Sequence, residues 1–342
     1  MLNLPNQTVA FAFAHPFRSR LIPGILLLTT TFLGSTLAQA ASSTAKFSYD
    51  DTGNLVSVTR PETSTQSKTQ VFLGKGDGFA LSNPALVVGS SGTETLVLNA
   101  GASSVVVDQN VERIDLPGTF SAFQYQQSGN HLLIYSGSTL LANVSVQVDS
   151  NGTQIVATNG STFAKLVSGI VMTLGGATIY ATPGAVTPTT VDTTVRSSPC
   201  GSLTTQHTLV YLGANNSFAL NNPATIYGSN GTETVIINSA TGVIVEKNVE
   251  RVDIPGPFSA FQYRQGDNRL LIYSGSTQMA SVSFQGSSVG TRIVAADGSA
   301  SITLSSSGAM TLGGSTVSTS QGPVTPTTVD ASVTSGSKAC GQ

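Results

Sequence analysis

The chain has 342 residues, of which only 9% are charged, and its 15 Lys and Arg against 17 Asp and Glu give a net charge of −2. This balance excludes the basic footprint that nucleic-acid binding needs, and no polybasic or strongly amphipathic stretch offers a grip on a membrane surface. With so little charge, the polar surface has to come from Ser, Thr, Asn and Gln, which suits an exported β-protein better than a cytosolic enzyme. Regular Val/Ile/Leu runs argue against disorder. The length predicts two domains, each large enough to bury its own core.

Residues 1–40 read as a secretory leader. Arg18 and Arg20 precede an apolar stretch over 21–37 that is broken by Thr and Gly, and Ala38-Gln39-Ala40 spells a cleavage site, so the mature chain is expected to begin near Ala41. No Cys follows that site, which argues against a lipid anchor, and no other stretch is long and apolar enough to span a bilayer. In 41–66, apolar residues alternate on both sides of Asp51-Thr52-Gly53-Asn54 between Phe47 and Val58, which is a hairpin signal. These fifteen or so residues resemble one copy of the YD repeat of Rhs-type bacterial surface proteins and toxins. A single copy cannot build a YD shell, and a capping hairpin fits the same pattern. A polar Ser/Thr/Gln linker follows.

From here the chain is one unit written twice. Val71-Phe72-Leu73-Gly74 recurs as Val210-Tyr211-Leu212-Gly213, 139 residues on. Asn110-Val111-Glu112-Arg113-Ile114-Asp115 recurs as Asn248-Val249-Glu250-Arg251-Val252-Asp253, 138 residues on. A single lost residue across the span means that both copies share one fold. The copies occupy 67–193 and 207–331, with a linker at 194–206 and a Ser/Gly-rich tail at 332–342 that is expected to be mobile. They are expected to fold independently.

Within a copy, short apolar runs alternate with Gly-rich or Asn-Gly breaks, and no window sustains helical periodicity, so the fold class is all-β. The first five runs, around 85–88, 94–98, 104–107, 112–116 and 122–126, are short, evenly spaced and Val-rich, as stacked solenoid rungs are. The later runs, from 131–135 onward, alternate more cleanly and predict antiparallel strands with one wet face. The expected architecture is two tandem copies of a β-solenoid or β-roll-like start feeding an antiparallel sheet. A pair of β-sandwiches is the alternative.

The series Gly-Thr-Glu-Thr, Asn-Val-Glu-Arg-x-Asp, Phe-x-Tyr and Met-Thr-Leu-Gly-Gly resembles modules of bacterial β-strand repeat surface proteins. Such modules often sit beside RTX (haemolysin-type calcium-binding) repeats. The resemblance covers most of 70–193 and 209–331 and implies an extracellular, non-catalytic module. The calcium-ligating Gly-Gly-x-Gly-x-Asp nonapeptide of RTX repeats is absent here, so calcium binding does not carry over.

The carboxylates present in both copies are Glu94/Glu233, Asp108/Glu246, Glu112/Glu250, Asp115/Asp253 and Asp192/Asp330. Three roles are open to them. They fit a ladder of opposite charges with Arg113, which shares a strand face with Asp115 at i and i+2. Glu94, Asp108 and Glu112, with Glu233, Glu246 and Glu250, also offer oxygen ligands for calcium. Paired carboxylates further suit glycoside hydrolysis, although retention in both copies favours a role in the fold. Phe123, Tyr125, Phe261 and Tyr263, spaced to share a face, offer either core packing or a platform for a sugar ring. Gly286-Ser287-Ser288-Val289-Gly290 spells a nucleophile elbow but no helix follows it, so a Ser/Gly loop is expected. His131 and His207 have no partner at metal-ligand spacing.

These residues predict a non-enzyme with no obligate cofactor: an exported tandem β-module with a structural or adhesive role at the cell surface. Its partners would be extracellular glycans or proteins. The alternative is a carbohydrate- or calcium-binding module accessory to an enzyme. Cys200 and Cys340 are the only cysteines, and an oxidising compartment permits one intramolecular pairing, so a Cys200–Cys340 disulfide is expected.

Overall fold

The computed structural model describes residues 68–147, 151–197, 203, 208–284 and 290–337, together with the backbone of three strands nearer the N-terminus. Two of these, Thr44–Tyr49 and Leu55–Thr59, pair antiparallel as the alternation around 47–58 predicts. The third, Leu27–Thr29, pairs antiparallel with Thr44–Tyr49. The rest of the expected leader, residues 286–289 of the nucleophile-elbow spelling, His207, Cys200 and Cys340 lie outside the described residues. No described helix is long and apolar enough to cross a membrane.

The fold is all-β, and each copy begins as a parallel roll. The chain runs Gln70–Phe72, Gly78–Leu81, Leu86–Val88, Thr95–Leu98, Val105–Val107 and Arg113–Asp115, placing alternate strands in two facing sheets. Within each sheet successive strands are parallel, as in Val71↔Val87 and Leu96↔Ile114. One rung takes 16 to 20 residues, 17 or 18 at the corner where hydrogen bonds join neighbouring rungs. β-branched and aliphatic side chains suit this geometry because each inward position packs against its equivalents above and below. Parallel pairing between rungs is the geometry of a roll rather than of a sandwich.

The roll ends one run earlier than the spacing suggests. Gln124–Ser128, the fifth run, pairs antiparallel with His131–Ser136, which pairs antiparallel with Thr139–Ser145. Thr139–Ser145 then returns parallel to Val105–Val107, and Thr153–Ala157 lies parallel to Arg113–Asp115. The copy closes with an antiparallel meander of Gly160–Val167, Val171–Leu174 and Ala177–Thr178. The second copy repeats every step, from Leu209–Tyr211 to Ser315–Thr316.

The two copies meet through their first strands. Gln70–Phe72 pairs antiparallel with Leu209–Tyr211, so one sheet of twelve strands runs through both. On the opposite side the two seven-stranded sheets are not laddered to each other. There, Asn222 Oδ1 accepts the N–H of Ala80 and Asn83 Oδ1 accepts the N–H of Ala219, both at 2.9 Å. Most buried apolar residues form one cluster that extends from Val71 to Val324 through both copies, and a small second cluster, Phe72 with Tyr211, also spans the join. The linker at 194–206 is therefore a covalent boundary, while the sheet and the core continue across the join.

Through residue 337 the tail is hydrogen-bonded to the second copy. Ser335 donates its N–H to Ala295 O, Gly336 donates its N–H to Asp253 Oδ2 at 2.7 Å, and Ser337 Oγ donates to Ile237 O. Small Ser and Gly side chains let the tail lie flat against the sheet.

Candidate functional site

Apart from Asp192 and Asp330, the carboxylates sort into three settings. Glu94 and Glu112 stand just before strands on neighbouring rungs, so they stack at one corner of the roll. Glu112 accepts the backbone N–H of Glu94 through Oε2 (2.8 Å) and the Gln147 amide through Oε1 (2.9 Å). Glu94 Oε1 accepts the Gly76 N–H (3.0 Å) and the Ser90 hydroxyl (2.8 Å), while its Oε2 is buried without a protein donor. Burial, reinforced by the adjacent Glu94 carboxyl, pushes the Glu112 carboxyl up to about 7. Glu233 and Glu250 repeat the arrangement, with Glu250 raised for the same reasons.

Asp108 stands apart from that corner, on the twelve-stranded sheet, where it accepts the backbone and side-chain N–H groups of Asn110. Its counterpart Glu246 pairs with Arg269 at 3.1 Å and accepts the Ser283 hydroxyl. Glu94, Asp108 and Glu112 therefore do not converge into the expected calcium cage, and neither do Glu233, Glu246 and Glu250. Among the described residues no three Asp, Glu, His or Cys side chains assemble into a metal-ion site. Successive short strands belong to opposite sheets, which separates Asp108 from Glu94 and Glu112.

Arg113 and Asp115 form a two-pronged pair, Nε to Oδ1 at 2.6 Å and Nη2 to Oδ2 at 2.9 Å, matched in Arg251 and Asp253. Glu94 takes no part in it. Asp115 and Asp253 are buried, and each arginine reaches in from the surface. This pair follows the i, i+2 reading.

The aromatic platform is not at the surface. Phe123, Tyr125, Phe261 and Tyr263 share a face as predicted, but that face is the core: Tyr125 and Tyr263 are 0% exposed. Each tyrosine hydroxyl donates to the carbonyl five residues back, Phe120 O or Phe258 O, at 3.1 Å. Alternation reveals which residues share a face, not which way that face points. Here the backbone at Gly184 and Gly322 bridges to that of Tyr125 and Tyr263.

A cleft of about 310 Å³ opens on the meander of the second copy. Gly298–Leu304 supplies Ser299, Ser301 and Thr303, Arg292 and Asp330 stand at its sides, and the Gly313-Gly314 turn forms one wall. Ser299 and Asp330 are bridged through both backbone hydrogen bonds. Hydrogen bonds from Ser332, with Arg292 nearby, hold the Asp330 carboxyl below its ordinary range. The cleft thus presents hydroxyls, one cation and one anion. Sequence reasoning missed it because its walls come from separate strands. The available signal was divergence between copies: Ser301, Thr303 and Arg292 stand where the first copy has Phe163, Lys165 and Gln154.

A scan against models of known protein families finds none that matches the chain, and a search of curated proteins finds no match.

Proposed function

We propose that this chain is an exported, non-catalytic β-scaffold with a structural or adhesive role at the bacterial cell surface or in the extracellular space. One observation carries the reading: the charged residues present in both copies are spent on the protein itself. Glu94 and Glu112 cap backbone N–H groups of neighbouring rungs, and Arg113 and Asp115 neutralise each other. The leader-like N-terminus and the resemblance to β-strand repeat modules point the same way. Fractionation of producing cells tests export. The account expects a chain beginning near Ala41 that is recovered from the medium or shaved from intact cells by protease. Retention in the cytoplasm contradicts it, as does hydrolysis of polysaccharide or ester substrates that one point variant abolishes.

The cleft on the second copy supports a second reading, a carbohydrate-binding module. Its hydroxyls, with Arg292 and Asp330, match the donors and acceptors of a sugar's diols. A glycan array read with the native chain and with Arg292→Ala tests this. Binding that the substitution removes supports it, and an array that stays blank sinks it.

A further inference from the structure

We infer that the outer face of the first copy's meander, built from Phe163, Val167, Ile170, Val171 and Tyr180, is a self-association surface that docks against the same face of a second chain. The five side chains are exposed, Ile170 to 75% and Tyr180 to 70%. Val167, Ile170 and Val171 adjoin one another, and Lys165 stands on the same outward row between Val167 and Phe163. Val167 and Val171 are direct partners on neighbouring antiparallel strands. The ladder continues where Ile179 donates to Met172 O, which sets Tyr180 beside Val171 on the other flank. Ile170 tops the turn between the first two strands, and Phe163 lies farther along the same outward row with the Lys165 ammonium 5.5 Å from its ring centroid.

The second copy shows that the scaffold does not need these side chains. In both copies the turn is clamped by a glutamine. Gln127 donates to Ile170 O and accepts the Met172 N–H, as Gln265 does with Gly308 O and Met310 N–H. Yet the equivalent outward positions hold Ser301, Ser305, Gly308, Ala309 and Ser318. With the same strands, turn and clamp, apolar side chains face outward in one copy and small or hydroxyl side chains in the other.

Size and placement select the occupant. The five side chains expose on the order of 500 Å², at the upper end for the largest apolar patch of a monomer. This supplies the apolar centre of the roughly 800 Å² that each partner contributes to a standard interface. The copies join through their first strands, so the two meanders lie away from the join, and only one is apolar. One self-complementary patch per chain closes into a pair, whereas one on each meander would link chains without end. The serines and glycine of the second copy are what stops association at two.

The test is light scattering on the full mature chain at micromolar concentration, beside the double variant Val167→Ser/Tyr180→Ser, which installs the second copy's own residues. The expected result is a dimer whose dissociation constant rises about tenfold or more in the variant, with the β-type circular dichroism of the native chain retained. The reverse variant, Ser305→Val/Ser318→Tyr, should then yield species larger than dimers. A native chain that stays monomeric overturns the inference, and so does a dimer that the double variant leaves intact. A monomer that instead floats with phosphatidylcholine vesicles through these side chains would assign the face to lipid and also overturn it.

Discussion

Phe79 and Phe218 lie ring over ring across the join between the two copies, 6.4 Å between centroids and 18° between planes. Both are fully buried, and the strands that carry them exchange asparagine caps instead of a backbone ladder. Phe79→Ala should cost about 3–5 kcal/mol. Because the core is shared, a urea melt should remain a single transition shifted as a whole. A variant in which only part of the signal moves would show two separate cores.

Asn222 tests the cap itself. It is buried, and Asn222→Ala leaves the Ala80 N–H without its acceptor. The expected loss is about 1–3 kcal/mol. Stability equal to that of the native chain would mean that the cap is incidental.

The stacked carboxyls make stability depend on pH. An ordinary Glu has a value of 4.5 and Glu112 sits at about 7, so between these values the folded chain holds a proton that the unfolded chain has released. The stability contributed by this group is complete below about 4.5 and is lost as pH rises through about 7. Glu250 acts in the same direction. Glu112→Gln/Glu250→Gln should therefore raise the melting temperature at pH 8 relative to the native chain and leave a smaller difference at pH 5. A difference that is constant with pH would contradict the raised Glu112 and Glu250 carboxyls.

Gly89 and Gly228 sit where backbones of neighbouring rungs nearly touch. A Cβ on Gly89 would lie 2.0 Å from Asn110 O, and one on Gly228 would lie 1.4 Å from Asn248 O. No rotamer relieves a clash between a Cβ and a main-chain carbonyl. Gly228→Ala should cost about 3 kcal/mol or more, read as lost soluble yield or a lowered denaturation midpoint. Tolerance of alanine there would mean that the rungs are spaced more widely than described.

Much of this was legible in the sequence, and the reasons are local. The duplication, the all-β class and the change from roll to meander follow from the spacing of Val, Ile and Leu runs and their breaks. The Arg113–Asp115 pair follows from period two. What stayed hidden depends on which sheet a strand joins and what lies over it. Asp108 and Glu112 are four residues apart, yet the chain crosses between sheets in that interval, so they do not meet. Phe123 and Tyr125 belong to the core, and a segment some sixty residues later bridges the backbone at Tyr125. The tail at 331–337 is held by Asp253 and Ile237, which no local pattern in Ser and Gly announces.

The claim on which the account rests is that the two copies form one structural unit. The first copy expressed alone, as residues 67–196, measures this most directly. Stripped of its partner, it exposes the strand Gln70–Phe72 and the ring of Phe79. The account predicts a fragment that melts far below the full chain or pairs with itself through that edge. A monomeric fragment with a cooperative melt at the full chain's temperature would contradict it.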